Sequence, residues 1–339
     1  MYVITFYSFK GGVGRTMALV NVAAQLAKMG RKVLLVDFDL EAPGLETFDH
    51  LRPPKPHPGL VEYVTEYRST WRAPDVRDYI YSAGSVGKKG GQLWVMPAGR
   101  RDATYQSALA KIDWIRLYRD EDGFLLLEDT KAQWEQEYKP DYVLIDSRTG
   151  HTDVEGICTR QLPNAVVVLF FPNEQNLVGL QDVCRRIRSE QTSGLEKYIR
   201  LHYVMSNVPD LDDEDRILRN IRERFQEELG YQEEDVIIHH YPSLRLLRQA
   251  IFVLDQPGSR LTKEYRHLVR SLMMYNWEDR KGAELFLDDY PLFTLFPDKR
   301  FGLPEPPGDP LDQIAKNFPD DEEIQRRVNE KRRRTRTPG

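Results

Sequence analysis

The stretch YVITFYSFKGGVGRT, residues 2–16, decides the fold of this chain. Its first half is a run of apolar, mostly β-branched or aromatic residues, which predicts a buried strand. A glycine-rich turn follows, and residues 16–29 then have the apolar periodicity of a helix that ends at Gly30. A strand, a glycine-rich turn and a helix in this order form a cradle for phosphate. The N–H groups of the turn and the positive end of the helix face the same anion.

The turn departs at two positions from the general phosphate-loop pattern G-x-x-x-x-G-K-[ST]. Lys10 stands where the first glycine is expected, and Arg15 stands where the lysine is expected. With these two residues the segment resembles the deviant Walker A motif, usually KGGVGKT, of the MinD/ParA family of ATPases. The resemblance is specific, because seven consecutive positions differ from that motif only at Arg15.

This resemblance implies a binding site for ATP and Mg²⁺ on the glycine-rich turn. Thr16 opens the helix, where a hydroxyl group can reach Mg²⁺ and lie near the phosphates. In the MinD/ParA family the lysine at the position of Lys10 reaches across a dimer to the nucleotide of the other subunit. The residues implied to bind the nucleotide are Gly11, Gly12, Val13, Gly14, Arg15 and Thr16.

Two acidic residues follow the second predicted strand, whose apolar core is VLLV at residues 33–36. Such runs are typical of parallel strands buried on both faces, and α/β sheets bind ligands at the carboxyl ends of these strands. The spacing of Asp37 and Asp39 is similar to the switch I region of MinD/ParA proteins. The resemblance implies that Asp39 orients the attacking water and that Asp37 supports the metal. The alternative is a pair of solvated carboxylates at a strand end.

A further apolar strand ends in an acid at Asp146, within the segment DYVLIDSRTGHT, residues 141–152. This segment resembles a Walker B strand followed by switch II, and the resemblance implies that Asp146 holds Mg²⁺ through water. Arg148 replaces the proline that is usual in MinD/ParA proteins. It is a candidate catalytic arginine and equally a candidate salt-bridge partner for a nearby acid. For His151 a conformational role is favoured over that of a general base.

Two residues are candidates for contacts with the adenine base. Asn207 lies near the end of the strand predicted over residues 198–208, where the MinD/ParA family has an asparagine that reads the adenine edge. Pro242 ends the strand predicted from Val236, and this region resembles the proline-containing segment beside the adenine in that family. Asparagine also caps loops, so Asn207 has a purely structural alternative.

The composition is that of an ordinary globular protein with a slight acidic excess. Of 339 residues 40% are hydrophobic and 30% are charged, and the net charge of −5 argues against wholesale binding of nucleic acid. No apolar run reaches the roughly 20 residues of a membrane helix, and no signal-peptide cleavage site follows the first strand. Two cysteines are too few for a disulfide framework. We therefore expect a cytoplasmic protein that makes no contact with a membrane.

The sequence predicts an α/β fold, a mostly parallel sheet with helices on both faces, over residues 1–275. Residues 276–339 are predicted to form an extension with an apolar, proline-rich docking segment and a basic tail. The arginine-rich end, residues 326–336, can contact nucleic-acid phosphates. A solvated helix that is stabilised by the preceding acids is favoured.

The predicted function is a Mg²⁺-dependent, ATP-hydrolysing switch that forms a homodimer on binding ATP and controls a partner protein or cargo. A nucleotide-dependent binding module with little hydrolysis is the first alternative, because Arg15 has a longer and planar head group than lysine. A DNA-partitioning ATPase is a subtype of the switch. A bacterial tyrosine kinase is disfavoured, because the last tyrosine is Tyr290 and the tail has no tyrosine cluster.

Overall fold

The structure, a computed structural model, describes residues 1–150, 156–192, 198–210, 212–230, 236–241, 250–289 and 308–336. Within these ranges eight strands form a single sheet. They are β1 (Tyr2–Tyr7), β2 (Lys32–Asp37), β3 (Tyr81–Val86), β4 (Gly91–Met96), β5 (Tyr142–Asp146), β6 (Ala165–Phe170), β7 (Arg200–Val208) and β8 (Val236–His239). Their order across the sheet is β3-β4-β2-β5-β1-β6-β7-β8.

Strand β1 lies in the middle of this sheet and pairs in parallel with β5 on one side and β6 on the other. Parallel pairing continues outward from β5 to β2 and β4, and from β6 to β7 and β8. Only the pairing of β3 with β4 is antiparallel among the described strands. The carboxyl ends of β1, β2 and β5 therefore meet at one edge of the sheet, the edge at which α/β sheets bind ligands.

Helices cover both faces of the sheet, as the burial of the mostly apolar central strands requires. The described helices are α1 (Arg15–Lys28), α2 (Leu60–Thr70), α3 (Tyr105–Leu109), α4 (Trp114–Asp120), α5 (Gly123–Gln133), α6 (Glu174–Thr192), α7 (Glu214–Leu229), α8 (Phe252–Asp255), α9 (Arg260–Met274), α10 (Arg280–Asp288), α11 (Pro310–Asn317) and α12 (Glu322–Arg336). None of them is long and apolar enough to cross a membrane.

Side chains of each central strand alternate between two apolar layers, as the twofold period of a strand requires. Ile4 and Phe6 of β1 pack into one layer with α1, α8 and α9. Val3 and Tyr7 point to the other face, where the layer under α2 and α5 receives Val3 and the layer under α6 and α7 receives Tyr7. This arrangement confirms the predicted α/β class with a mostly parallel sheet.

One local prediction agrees with the structure and another differs. The sequence of residues 85–91 predicts a hairpin-like loop, and the structure has an antiparallel hairpin there, with this turn joining β3 to β4. The sequence of residues 105–118 predicts a helix, but the chain leaves the helix after Leu109 and starts α4 at Trp114. The Asp113 side chain accepts a hydrogen bond from the N–H of Arg116 (2.9 Å), which favours a new helix start at this point.

The carboxyl-terminal helices attach to the sheet through Asp279, which precedes α10. Its carboxylate accepts two hydrogen bonds from Arg31 (2.6 and 2.7 Å) and one from the Tyr142 hydroxyl (3.1 Å). The same carboxylate caps α10 by accepting from the N–H of Lys281 (2.8 Å). Burial alone would raise the pKa of Asp279, but the hydrogen bonds and charge of Arg31 hold that pKa below its ordinary value.

Helices α10, α11 and α12 share a small apolar core of their own, formed by Ala283, Phe286, Leu287, Leu311, Ile314, Ile324 and Val328. Several arginines of α12 are engaged in ion pairs, Arg326 with Glu323 (2.9 Å) and Arg327 with Asp288 (2.5 Å). These pairs agree with the favoured expectation of a helix stabilised by nearby acids. The remainder of the expected docking segment, residues 290–307, lies outside the described residues. The division of the chain at residue 275 stays a prediction.

The contact between α1 and β4 generates a test of the packing. A Cβ atom added at Gly91 would lie 1.8 Å from the carbonyl oxygen of Ala27, a backbone atom that cannot move aside. We expect Gly91→Ala to lower the free energy of unfolding by about 1–3 kcal/mol, measured by urea denaturation. Gly258→Ala is the control, because a Cβ atom there has nothing within 4 Å. Equal stability of the two variants would contradict this packing.

Candidate functional site

The glycine-rich turn between β1 and α1 is built around two glycines in the left-handed region. Gly12 has a φ of +78° and Gly14 has a φ of +79°, a conformation that residues with a side chain rarely adopt. Gly14 precedes the first residue of α1, and no described side chain caps this helix end. The first N–H groups of α1 are therefore directed to the adjacent cavity, where they favour an anion.

Ser206 fixes the turn to the sheet from the side of β7. Its hydroxyl donates a hydrogen bond to the carbonyl oxygen of Val13 (2.6 Å), and its side chain is buried. Sequence reasoning missed this residue, although a small polar residue at the end of an apolar strand was a usable signal. The hydrogen bond joins the phosphate-loop candidate to the strand that carries Asn207.

Arg15 lies inside the protein and contacts carboxylates. Its Nε donates to Asp146 Oδ1 (2.6 Å), one terminal nitrogen contacts Asp39 Oδ2 (2.5 Å), and the other donates to the Ser8 hydroxyl (3.3 Å). Only 7% of the residue is exposed. Burial opposes the charged form, but Asp146 and Asp39 hold the pKa of the Arg15 guanidinium above its ordinary value.

Thr16 and Asp146 form the part of the site that suits a divalent cation. The Thr16 hydroxyl donates to Asp146 Oδ2 (2.6 Å), so the two residues present adjacent oxygen atoms, the donor type that Mg²⁺ prefers. Among the described residues no group of three or more His, Cys, Asp or Glu side chains could hold a metal ion. These oxygens therefore fit an ion that brings further ligands, as Mg²⁺ bound to phosphate does.

Asp37 supports the loop that follows β2. One oxygen accepts from the N–H of Asp39 (3.1 Å), and the other accepts from the N–H groups of Gly44 (3.2 Å) and Leu45 (3.3 Å). Burial and the nearby charge of Asp146 raise the pKa of Asp37 well above its ordinary value. The observed contacts give Asp37 a role in holding the loop, and its predicted role toward a metal stays a prediction.

Asp39 lies at the border of the cavity. Burial raises the pKa of this carboxyl group, although the adjacent positive charge of Arg15 opposes that rise. The N–H of Asp39 donates to the Asp37 side chain, and the Asp39 carboxylate contacts the same guanidinium, that of Arg15, as Asp146 does. The three acids of the two motifs thus lie close together at the carboxyl ends of β2 and β5.

Arg148 bridges the loops that follow β2 and β5. One of its terminal nitrogens lies 2.5 Å from Glu41 Oε2, so the structure has Arg148 in the salt-bridge alternative of the two that the sequence left open. Glu41 was not singled out from the sequence, although an acid two residues after Asp39 was a signal. The segment that includes His151, residues 151–155, lies outside the described residues.

Most of these residues line one cavity of about 510 Å³, whereas Asp37, Asp146 and Ser206 are not in its lining. Its walls include the glycine-rich turn, the start of α1, the loop after β2 and the loop after β5. The residues that line it are Ser8, Gly11, Gly12, Val13, Gly14, Arg15, Thr16, Met17, Asp39, Glu41, Ala42, Gly44, Thr47, Phe48, Arg148 and Thr149. Its size and its mixture of N–H groups, oxygens and arginines can accommodate a polyphosphate with a divalent cation.

Lys10 is exposed and is not among the residues that line the cavity. Its ammonium lies 5.3 Å from the ring centroid of Phe9. The Phe9 ring in turn packs against Gly179 of α6, where an added Cβ atom would come within 2.2 Å of the ring. The ring therefore holds the base of the turn against the helix layer beside Lys10.

Asn207 sits in an irregularity of β7 with a φ of +60°, next to Ser206. Its Oδ1 lies 2.5 Å from the Nδ1 of His240, which follows β8. The structure thus brings Asn207 to the end of β7 beside the phosphate-loop candidate. Pro242, the second candidate for contact with a base, lies outside the described residues.

Comparison with known proteins agrees with this geometry. A family model described as an AAA domain matches residues 1–47. An uncharacterized ATP-binding protein of Methanocaldococcus jannaschii is 43% identical over 68 residues, which are 20% of this chain and 25% of that protein. The septum site-determining protein MinD of Pyrococcus horikoshii, solved with Mg-ADP, superposes with a TM-score of 0.58 at 19% identity and covers 84% of this chain and 98% of that one. The fold is that of the MinD/ParA-type P-loop ATPases.

A ParA family ATPase from Chlorobium tepidum supports the same conclusion, with a TM-score of 0.55 at 16% identity over 79% of this chain and 98% of that one. The resemblance to MinD/ParA proteins that the sequence predicted is thereby confirmed at the level of the fold. The sequence match to the Methanocaldococcus protein spans about a quarter of that relative's length. The MinD/ParA-type fold accounts for the position of the cavity at the carboxyl ends of the parallel strands.

The Ser206 contact generates a test of how the turn is held. Ser206→Ala removes the donor to the buried Val13 carbonyl, so we expect the free energy of unfolding to fall by about 1–3 kcal/mol in urea denaturation. Ser107→Ala is the control, because that hydroxyl also donates to a backbone carbonyl (2.8 Å) but is exposed. If the two variants lose the same stability, the Ser206 hydrogen bond does not hold the turn.

Proposed function

We propose that this protein is an ATP-hydrolysing, Mg²⁺-dependent switch that dimerises on binding ATP and controls a partner protein or cargo. One observation carries the proposal: a single cavity is lined by the glycine-rich turn, Arg15, Thr16, Asp39 and Arg148, with Asp146 directly behind Arg15 and Thr16. Phosphoryl transfer to water depends mainly on positioning and on stabilisation of charge, and these residue types supply both.

The nucleotide would be held by the chain's own N–H groups and cations. The turn over residues 11–14 and the first turn of α1 donate N–H groups to phosphate oxygens, and Arg15 neutralises part of the phosphate charge. Thr16 and Asp146 would hold Mg²⁺, and Mg²⁺ would supply neutralisation of the phosphate charge. Asn207 and Pro242 contact the base in this proposal, and Asp37 supports both the metal and the loop after β2.

Hydrolysis would require Asp39 to orient a water molecule beside the γ-phosphate. The position of Asp39 in the lining of the cavity, together with the glycine-rich turn and Thr16, supports this role. Arg148 can stabilise charge on the phosphates once it leaves Glu41, since its head group already lines the cavity. A module that binds ATP and hydrolyses little of it remains the second candidate. The observation that favours it is the engagement of Arg15 with two carboxylates.

The dimer is proposed from Lys10. In the cavity the N–H groups, Arg15 and a metal ion already serve the phosphates of one subunit, so a further cation pointing inward would be redundant. Lys10 is exposed at the tip of the turn, outside the cavity lining, which supports a contact with the nucleotide of a second subunit. Arginines of α12 with acidic partners support a structural tail over a nucleic-acid contact.

The function is tested by phosphate release from ATP with the full chain and Mg²⁺. We expect turnover by the wild type, and a shift from monomer to dimer in sedimentation with a slowly hydrolysed ATP analogue. Thr16→Ala is expected to reduce turnover by a factor on the order of 10² or more, because it removes an oxygen proposed to hold Mg²⁺. Wild-type protein that binds no ATP in calorimetry would rule out the proposed function, and binding without turnover would leave the second candidate.

The proposed role of Lys10 predicts a separation between binding and assembly. In Lys10→Ala we expect the ATP affinity of the monomer to stay within a few-fold of the wild type, while analogue-induced dimerisation is lost. Turnover should fall by a factor on the order of 10², comparable with the loss of a preorganised donor. Lys263→Ala, which alters an exposed lysine of α9, is the control. A Lys10→Ala protein that dimerises and turns over normally would remove Lys10 from the interface.

A further inference from the structure

The Arg15 guanidinium is shared between two carboxylates that come from different strands. Asp39 follows β2, Asp146 ends β5, and each contacts a different nitrogen of the same head group. The side chains of Arg15 and Asp146 are 6% and 0% exposed, so solvent screens their interaction weakly. A buried ion pair of this kind is costly to break from one side only, because the remaining charge stays in the protein without compensation.

The carboxylates outnumber the cation in this cluster. Asp37 is adjacent to Asp146 in the paired strands β2 and β5, and it is fully buried. Two carboxylates, those of Asp39 and Asp146, therefore lie against one guanidinium, and Asp37 lies next to Asp146. Removal of Arg15 from this position leaves a strongly negative pocket that attracts a divalent cation.

Both oxygens of Asp146 are engaged in this arrangement. Oδ1 accepts from Arg15 Nε and Oδ2 accepts from Thr16 Oγ1, each at 2.6 Å. A metal ion held by Thr16 and Asp146 would displace the Thr16 hydrogen bond and would lie close to a buried guanidinium of the same sign. The arginine must therefore turn away before a metal is held, and it needs another anion to turn to. Phosphate is that anion, because guanidinium groups bind phosphate through paired hydrogen bonds.

The charges of Arg15, Asp39 and Asp146 also disfavour the binding of nucleotide without a metal ion. If Arg15 turned to a phosphate alone, Asp39 and Asp146 would lose their counter-ion beside an added negative charge. If a divalent cation arrived alone, Arg15 would have to leave two carboxylates for solvent. Only a ligand that carries both a phosphate and a divalent cation supplies a partner for every charge.

We propose that Arg15 makes the site selective for a metal–nucleotide complex, by acting as the counter-ion of Asp39 and Asp146 until phosphate and metal arrive together. This inference rests on the proposed function and assigns Arg15 a specificity-determining role in it. Arginine suits the role better than lysine, because its planar head group presents separate nitrogens to two carboxylates and keeps its charge when buried.

The test measures binding of Mn²⁺ alone to the full-length protein, by loss of the electron paramagnetic resonance signal of the free ion. We expect wild-type protein to bind Mn²⁺ weakly without nucleotide and tightly with ADP. Arg15→Met keeps an unbranched side chain but removes the charge. Its affinity for Mn²⁺ without nucleotide should rise by about tenfold or more, because Asp39 and Asp146 then have no internal cation.

Arg101→Met is the matched control. Arg101 is exposed and contacts the Pro43 carbonyl oxygen in the loop after β2 (3.2 Å), so this change also removes a positive charge near the cavity. It touches neither Asp39 nor Asp146, and we expect the wild-type affinity for Mn²⁺ alone. An equal gain in both variants would show a general effect of charge and would overturn the proposal, as would tight binding of Mn²⁺ alone by the wild type.

Stability supplies the second measurement. The melting temperature of Arg15→Met should be lower than that of the wild type without ligand, and Mn²⁺ alone should raise it, whereas Mn²⁺ alone should leave the wild type unchanged. If Arg15→Met does not fold, Arg15→Lys is used. A single ammonium group satisfies two carboxylates less completely than a guanidinium does. We therefore expect Arg15→Lys to bind Mn²⁺ alone more tightly than the wild type, though less tightly than a protein without a charge at this position. Wild-type affinity for Mn²⁺ in this variant would overturn the proposal.

The outcomes separate this inference from the proposed function. Wild-type protein that binds Mn²⁺–ADP and also binds Mn²⁺ alone with similar affinity would retain the nucleotide site and refute the selectivity of Arg15. Wild-type protein that binds neither ADP nor Mn²⁺–ADP would refute the proposed function itself.

Discussion

Parallel pairing of β2, β5 and β1 is the constraint on which the rest of the structure depends. In the register of these strands Asp37 is opposite Asp146, and Asp146 is opposite Phe6, two residues before the turn that leads to Arg15. A shift of one residue in either pairing would turn these side chains to the opposite face of the sheet. The apolar side chains of the strands fix the register because both faces are buried, so the packing of the core also sets the distances within the cavity.

The sequence was sufficient for those features that depend on local patterns. The strand before residue 10, the glycine-rich turn, the helix that ends near Gly30 and the two strands that end in Asp37 and Asp146 are all present as expected. Periodicity and strand-end position specify these features with little help from the rest of the chain. The edge strand β3 was missed, because its exposed residues alternate irregularly and its pairing depends on β4.

The contacts within the site were less predictable, because they are made between residues far apart in the chain. No local pattern pairs Ser206 with Val13 or Arg148 with Glu41. It also led to the expectation that Arg15 would face phosphate, and in this structure the side chain faces Asp39 and Asp146. The guanidinium is long enough to reach either group, and the choice depends on which anions are nearby, a property that a motif does not contain.

The attachment of the carboxyl-terminal helices has a mechanical consequence. Arg31 and Tyr142, which hold Asp279, lie at the amino ends of β2 and β5, whereas Asp37 and Asp146 lie at the carboxyl ends of the same strands. At about 3.3 Å per residue these ends are roughly 13 Å apart in β5 and roughly 20 Å apart between Arg31 and Asp37. A load applied to α10 through Asp279 would therefore act along the backbone of the two strands that carry the acids. These two strands therefore connect the carboxyl-terminal helices with the loops around the cavity.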